Sequence, residues 1–551
     1  PESNNYDDGD RNFTRGSLVN NRLTLLGEFL LQKDDYGLLL RGDAFYDRVY
    51  RGYNDNDSPG TVNKSAGETN QFTEAAQHFD GRRARLLDAY LFGSWYVGEE
   101  GALNLRVGRH IAAWGESLFF SGVALAQSPA DATKATVPGA DVKSILLPVN
   151  QVSLQWSLDS DWTVLGQYKL EFKETELNPV GEFFSVTDVV GPGAEFIYGI
   201  KNPLYLDNLA DADLLSDDLI ETLALVGELI APDQPLSDIL GQLDIPDQLP
   251  PLHLPVTGLA IPGTPRNINV PRGPDVRPSD FGQWGLGIKY QVTPTTNLGL
   301  YRLRYHNTTP APVQNYGYGE LVPASGLRPA ITTEAFGLQI PISYNVHYFD
   351  GIDMTAGSFS TALFGANVGG ELVYRQGIDV LVDVDGGLLG PVPTPTRADI
   401  EQALVSALYT IGPALVWDSM TLVAETSFIH VGKIEPAHGP DGQPSTDLTY
   451  TRDAWGYSLL ALIDKRNLYP GWDLQVPLFF QGVGDGHSSL LGGLGSLQGE
   501  GDRRLSVGAN FTRLQALQLG ASYNAFLGKP DFSQRPYADR DFAAFTIKYS
   551  F

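Results

Sequence analysis

"WTVLGQYKLEFK", residues 162–173, puts Trp162, Val164, Gly166, Tyr168, Leu170 and Phe172 on one face of an extended chain. Thr163, Gln167, Lys169, Glu171 and Lys173 fall on the other. Side chains alternate across a strand with period two, so this is a strand with one apolar and one charged face. The form recurs in "LLLRGDAFYDR" (38–48), "LGLYRLRYH" (298–306), "LQLGASYNAFL" (517–527) and the closing "AAFTIKYSF" (543–551). In a soluble sandwich the apolar faces end on a protein core. Here they end on rings such as Trp95, Tyr96, Trp162, Tyr305, Trp455 and Tyr549, as in the aromatic girdles of lipid-facing barrels.

The spacing of these segments extends the reading to the whole chain. Seventeen are expected: 23–31, 37–48, 84–97, 102–109, 147–156, 162–172, 284–291, 296–306, 352–361, 366–375, 401–411, 420–431, 454–464, 472–481, 503–511, 516–526 and 542–551. Connections alternate between short ones, such as 32–36, 98–101 and 293–295, and long ones, such as 49–83, 110–146, 173–283, 307–351, 376–400, 432–453 and 482–502. Short turns on one side and long loops on the other fit an outer-membrane barrel. The expected fold is all-β: a single transmembrane antiparallel β-barrel of about 16–18 strands over residues 1–551. Because bacterial barrels carry even strand numbers, one further strand is expected before Pro1, unless one of these segments is misread.

Composition agrees. The 551 residues include 60 Gly, 25 Tyr and 26 Phe, but no Cys. That rules out disulfides, thiolate metal sites and cysteine nucleophiles. The formal net charge of −27 argues against nucleic acid, whose phosphates need a basic surface. No stretch reaches the roughly 18 apolar residues of a spanning helix, and a closed barrel is the other structure a bilayer permits. No hydrolase, zinc-protease or phosphate-loop motif is present; His110 with Glu116 and Ser117 is a weak hydrolytic combination. No enzyme activity, cofactor or metal is expected, although "NDND" (54–57) and "DVDGG" (383–387) are acidic enough to attract divalent cations.

Two long connections stand out. Residues 110–146 are too apolar for a solvated loop, so they are expected to fold inward as a constriction. Arg106, Arg109, Trp114 and Glu116 would then line the pore, with Phe119, Phe120 and Leu125 needing cover. Residues 194–283 read as an extracellular insert, helical at 209–230 and 235–243, then Pro-rich. Arg41, Asp43, Asp88, Lys169, Glu171, Arg302 and Arg304 are expected to face the lumen.

"RVGRHIAAWGES" (106–117) and "VPGADVKSILLPV" (137–149), with "WGLGIKY" (284–290), "GELVYR" (370–375) and "FTIKYSF" (545–551), resemble a proteobacterial outer-membrane barrel family catalogued as a domain of unknown function. The resemblance implies a hydrophobic cargo, such as lipids or sterols. It also implies a periplasmic or lipoprotein partner and an inner-membrane exporter of the resistance–nodulation–division type. Phe551 resembles the C-terminal signal of outer-membrane barrels. The functional expectation is an outer-membrane channel for hydrophobic or amphipathic small molecules. Its rivals are a general hydrophilic porin and a docking barrel that binds a partner protein through the insert.

Overall fold

The computed structural model describes residues 4–136, 145–202, 265–324 and 329–551. Seventeen strands form one sheet, each hydrogen-bonded antiparallel to its neighbour in chain order. They are β1 (Arg22–Lys33), β2 (Tyr36–Asp47), β3 (Arg82–Val97), β4 (Gly101–His110), β5 (Val149–Ser157), β6 (Trp162–Lys169), β7 (Trp284–Thr293), β8 (Thr296–Tyr305) and β9 (Ile352–Leu363). The remainder are β10 (Ala366–Asp385), β11 (Pro391–Ile411), β12 (Ser419–Ile434), β13 (Asp453–Tyr469), β14 (Trp472–Asp485), β15 (Arg503–Arg513), β16 (Leu517–Leu527) and β17 (Phe542–Tyr549). Every segment expected from the alternation is present, in order.

The sheet is rolled up. Residues 111–136 touch β6 and β7 on one side and β10 and β12 on the other. At the long-loop end, Tyr6 stacks on Phe532 with ring centroids 5.0 Å apart, and Arg540 reaches Asp10 at 2.8 Å. These contacts bring the β1 and β17 sides of the sheet round to each other. Among the described residues β1 pairs only with β2, and β17 only with β16.

The outer surface is apolar. Leu23, Leu91, Leu286, Leu300, Leu372, Phe545 and Ile547 are all more than half exposed. A belt of this kind is stable against hydrocarbon and not against water. Among the described residues no helix is long and apolar enough to cross a membrane. Strands make the crossing, and the fold is a membrane-spanning β-barrel.

Three expectations need correction. The connection 376–400 is strand: β10 and β11 continue as a hairpin arm to 386–390, with a register shift between Arg375 and Ile378. Tyr305 is not a girdle residue, because it is buried along with Tyr301 and Leu303. The apolar face of β8 at these positions therefore points inward, and Arg302 and Arg304 point outward. Period two separates two faces but does not say which is inside, and an apolar plug makes an inward face look like a lipid face. The helices expected at 209–230 and 235–243 lie outside the described residues.

Candidate functional site

The candidate constriction is the inward-folded segment after β4. Trp114 is nearly buried, and its indole stacks on Tyr301 at 6.0 Å. It also fills the space beside Gly285, where a Cβ would lie 3.1 Å from the ring. Phe120, Val123 and Ala126 join Trp114 in one apolar cluster with Leu165, Leu303, Tyr305, Ile352, Met354, Ile400, Leu404 and Ile429 on the wall. Leu125 packs on this cluster, and Phe119 meets Phe479 at 5.3 Å.

Two wall carboxylates hold this segment. Glu371 on β10 accepts hydrogen bonds from the backbone N–H groups of Glu116, Ser117 (2.8 Å) and Val123 (2.8 Å). Glu425 on β12 accepts from Leu118 (2.8 Å), Phe119 (2.6 Å) and Phe120 (2.8 Å). Both side chains are almost fully buried. Amide dipoles converging on each carboxylate replace its lost water, and hydrogen bonds to an ionised acceptor contribute about 1.5–3 kcal/mol each. Gly115 and Gly122 make the approach possible. Gly115 has φ +84°, and a Cβ at either glycine would collide with the Glu371 carboxylate.

Buried basic and amide side chains complete the attachment. Arg375, fully buried, donates to Gly122 O at 2.8 Å and to Gln402 Oε1 at 2.9 Å. Gln402 in turn donates to Ser121 O and Gly493 O. The last contact belongs to a second inward-folded segment, 486–502, whose Leu490, Leu494 and Leu497 are buried in the same cluster. Lys169 donates to Ala126 O at 3.0 Å, and Gln167 links Gln127 to Gln151.

The sequence-predicted residues divide as follows. Trp114, Glu116, Phe119, Phe120 and Leu125 come together; Glu116 faces Lys289 across 3.7 Å. Arg106 lies over the Tyr90 ring. Arg109 sits at the rim, donating to Leu86 O and lying 4.0 Å from Glu171. Arg41 pairs with Asp88 at 2.5 Å, and Asp43 pairs with Arg85, which also reaches Asp131 and Glu176. Arg302 and Arg304 pair with Asp353 away from the lumen; their placement as lumen charges is corrected. His110, Glu116 and Ser117 have separate partners: the His110 ring meets Gly108 O and Ser153 Oγ. Phe551 is fully exposed beside Tyr549. Glu371, Glu425, Arg375 and Gln402 were not singled out in the sequence, although Glu371 and Arg375 both lie within "GELVYR".

The family model described as "Protein of unknown function (DUF1302)" matches residues 2–551. The chain belongs to this family. No curated protein matches it. Solved structures similar to it include Acinetobacter baumannii OccAB2, at 10% identity and TM-score 0.35, covering 96% of this chain and 91% of that one. The A. baumannii outer membrane channel DcaP is similar at 11% identity and TM-score 0.32, covering 96% and 97%. Pseudomonas aeruginosa OpdK, solved with vanillate, is similar at 9% identity and TM-score 0.35, covering 96% and 92%.

Proposed function

We propose that this outer-membrane channel passes hydrophobic or amphipathic small molecules, of a lipid-, sterol- or hydrocarbon-like kind, with the Trp114 segment as its gate. The observation that carries this reading is the apolar lining at the constriction. Tyr301, Leu303, Tyr305, Met354 and Leu404 meet Trp114 and Phe120 there with almost no exposure. A hydrophilic porin needs a wet, charged path at its narrowest point, and desolvating a polar solute against such a lining is costly.

A second feature supports the reading. On the outer face, Val152, Leu154, Gly166, Tyr168, Trp284 and Leu286 line a groove of about 360 Å³. Trp114 packs against Gly285 on the inner side of the same stretch of wall. Apolar surface therefore lies on both sides of a wall one backbone thick, which suits a molecule that partitions into lipid.

The test is transfer of an apolar fluorophore between liposomes and the lumen of barrel-containing vesicles. The reconstituted protein is expected to speed transfer, and Trp114→Arg to slow it by roughly tenfold, a barrier change of about 1.4 kcal/mol. Equal transfer with and without protein, alongside ready passage of small sugars, would favour the hydrophilic porin.

A further inference from the structure

The long-loop end holds a second cluster of charge, away from the constriction. Asp7, at the start of the short helix α1 (Asp8–Arg11), Asp8 within it, and Asp188 from the β6–β7 connection are all buried, at 4, 2 and 0% exposure. One oxygen from each lies within 4.8 Å of the others. Three carboxylates this close repel strongly unless something positive lies between them. Arg11 engages Asp7 through Oδ2 at 2.8 Å. Asp8 Oδ2 accepts from Asn63 N at 3.3 Å, and Asp188 Oδ2 accepts from Asp8 N at 3.1 Å.

The remaining oxygen of each carboxylate, Oδ1 in all three, is buried with no hydrogen-bond partner among the described residues. Asn63 Oδ1, on a side chain with no exposure, is in the same condition. The Asn63 amide nitrogen is occupied, donating to Asn5 Oδ1 and Phe196 O at 3.0 Å each, which fixes the side chain. Buried polar atoms are nearly always paired. Four orphaned oxygens on adjoining residues mark a place built for a ligand that accepts only oxygen donors.

We propose that Asp7, Asp8, Asp188 and Asn63 bind one Ca²⁺ ion. Carboxylates plus an amide carbonyl form the hard donor set Ca²⁺ takes, with loop-borne ligands and tolerant geometry; Mg²⁺ demands a stricter octahedron and keeps its water. No nitrogen or sulfur ligand is present to favour a transition metal. The ion joins three separate segments: the N-terminal stretch before β1, the β2–β3 connection and the β6–β7 connection. It would staple the loop end of the barrel without touching the constriction. Burial pushes Asp8 up to about 7 and Asp188 well above its ordinary value, so protons are the competing occupants.

The experiment is equilibrium dialysis of ⁴⁵Ca²⁺ against the full chain, folded in detergent and freed of metal by chelator, at slightly alkaline pH. About one ion per chain is expected, with a Kd of about 10⁻⁴ to 10⁻³ M, as in extracellular calcium modules. Asp188→Asn is expected to weaken binding at least tenfold while the barrel keeps its folded gel mobility. Hydrogen exchange on the unaltered protein needs no variant: Ca²⁺ should slow exchange at 5–12, 61–65 and 185–189 and leave the strands unchanged. Absence of bound ⁴⁵Ca²⁺, or Mg²⁺ displacing it at equal concentration, would overturn the proposal.

Discussion

Glu371 and Glu425 show how few atoms attach the constriction to its wall. Each carboxylate satisfies three amides of residues 116–123. Glu371→Ala would leave three buried N–H groups unpaired, at about 1–3 kcal/mol each. The expected outcome is a detached segment in an intact barrel. Hydrogen exchange at 114–123 should accelerate by two orders of magnitude or more, with strand protection unchanged. Gly122→Ala should do the same, because its Cβ occupies the space of the Glu371 carboxylate; Ser121→Ala should not.

A second residue-level prediction concerns pH. Glu182, in the β6–β7 connection, accepts from the Tyr50 hydroxyl at 3.1 Å and from the Phe184 N–H. Burial, then the nearby Asp80 charge, raises it to about 8 from an ordinary 4.5. The folded state therefore holds this proton more tightly than the unfolded chain does. The contribution to stability is full below about 4.5 and is lost as pH rises through about 8. Limited proteolysis between residues 178 and 190 should quicken between these limits, and Glu182→Gln should flatten the profile. A rate that falls with rising pH would contradict the assignment.

At the scale of elements, the strands were legible because one signal repeats seventeen times with little competition. Two things hid the rest. The arm beyond Arg375 is interrupted by Gly377, at φ +74°, and answered by Pro391, Pro393 and Pro395. Proline reads as a strand breaker because it lacks an N–H. At alternate positions, however, all three point the missing donor to the same edge, and pairing with β10 survives on the other. The face of β8 was hidden for a different reason: Tyr301 and Tyr305 meet an apolar plug, so the lumen there has the polarity of lipid. Glu371 was visible as a lone acid in "GELVYR", but nothing local says that its partners lie some 250 residues away. Since Arg304 and Asp353 pair at the long-loop ends of β8 and β9, where water reaches the rim, Asp353→Ala should change stability by less than about 1 kcal/mol, the usual range for exposed pairs. Thermal unfolding in detergent checks this. Leu494→Asp, by contrast, places a charge in the shared cluster, and should release segment 486–502 to proteolysis.

For the whole molecule, two surfaces of like polarity have different duties. The outer belt meets hydrocarbon, and the inner cluster around Trp114 packs the inward-folded segments onto the wall; in the proposed function it is the gate. The mixed charges that remain inside, such as Arg41 with Asp88 and Arg85 with Asp43, are paired and stiffen the wall. The inner faces of β1 and β17 are exposed, since the apolar cluster of the inward segments rests on β6–β14. Single-channel recording in planar bilayers measures the closure directly. The unaltered protein should give ion steps that are small or absent, and the Glu371→Ala, Glu425→Ala double variant should open large, steady ones. Large steps of equal size from both proteins would mean that the clamped segment does not close the barrel.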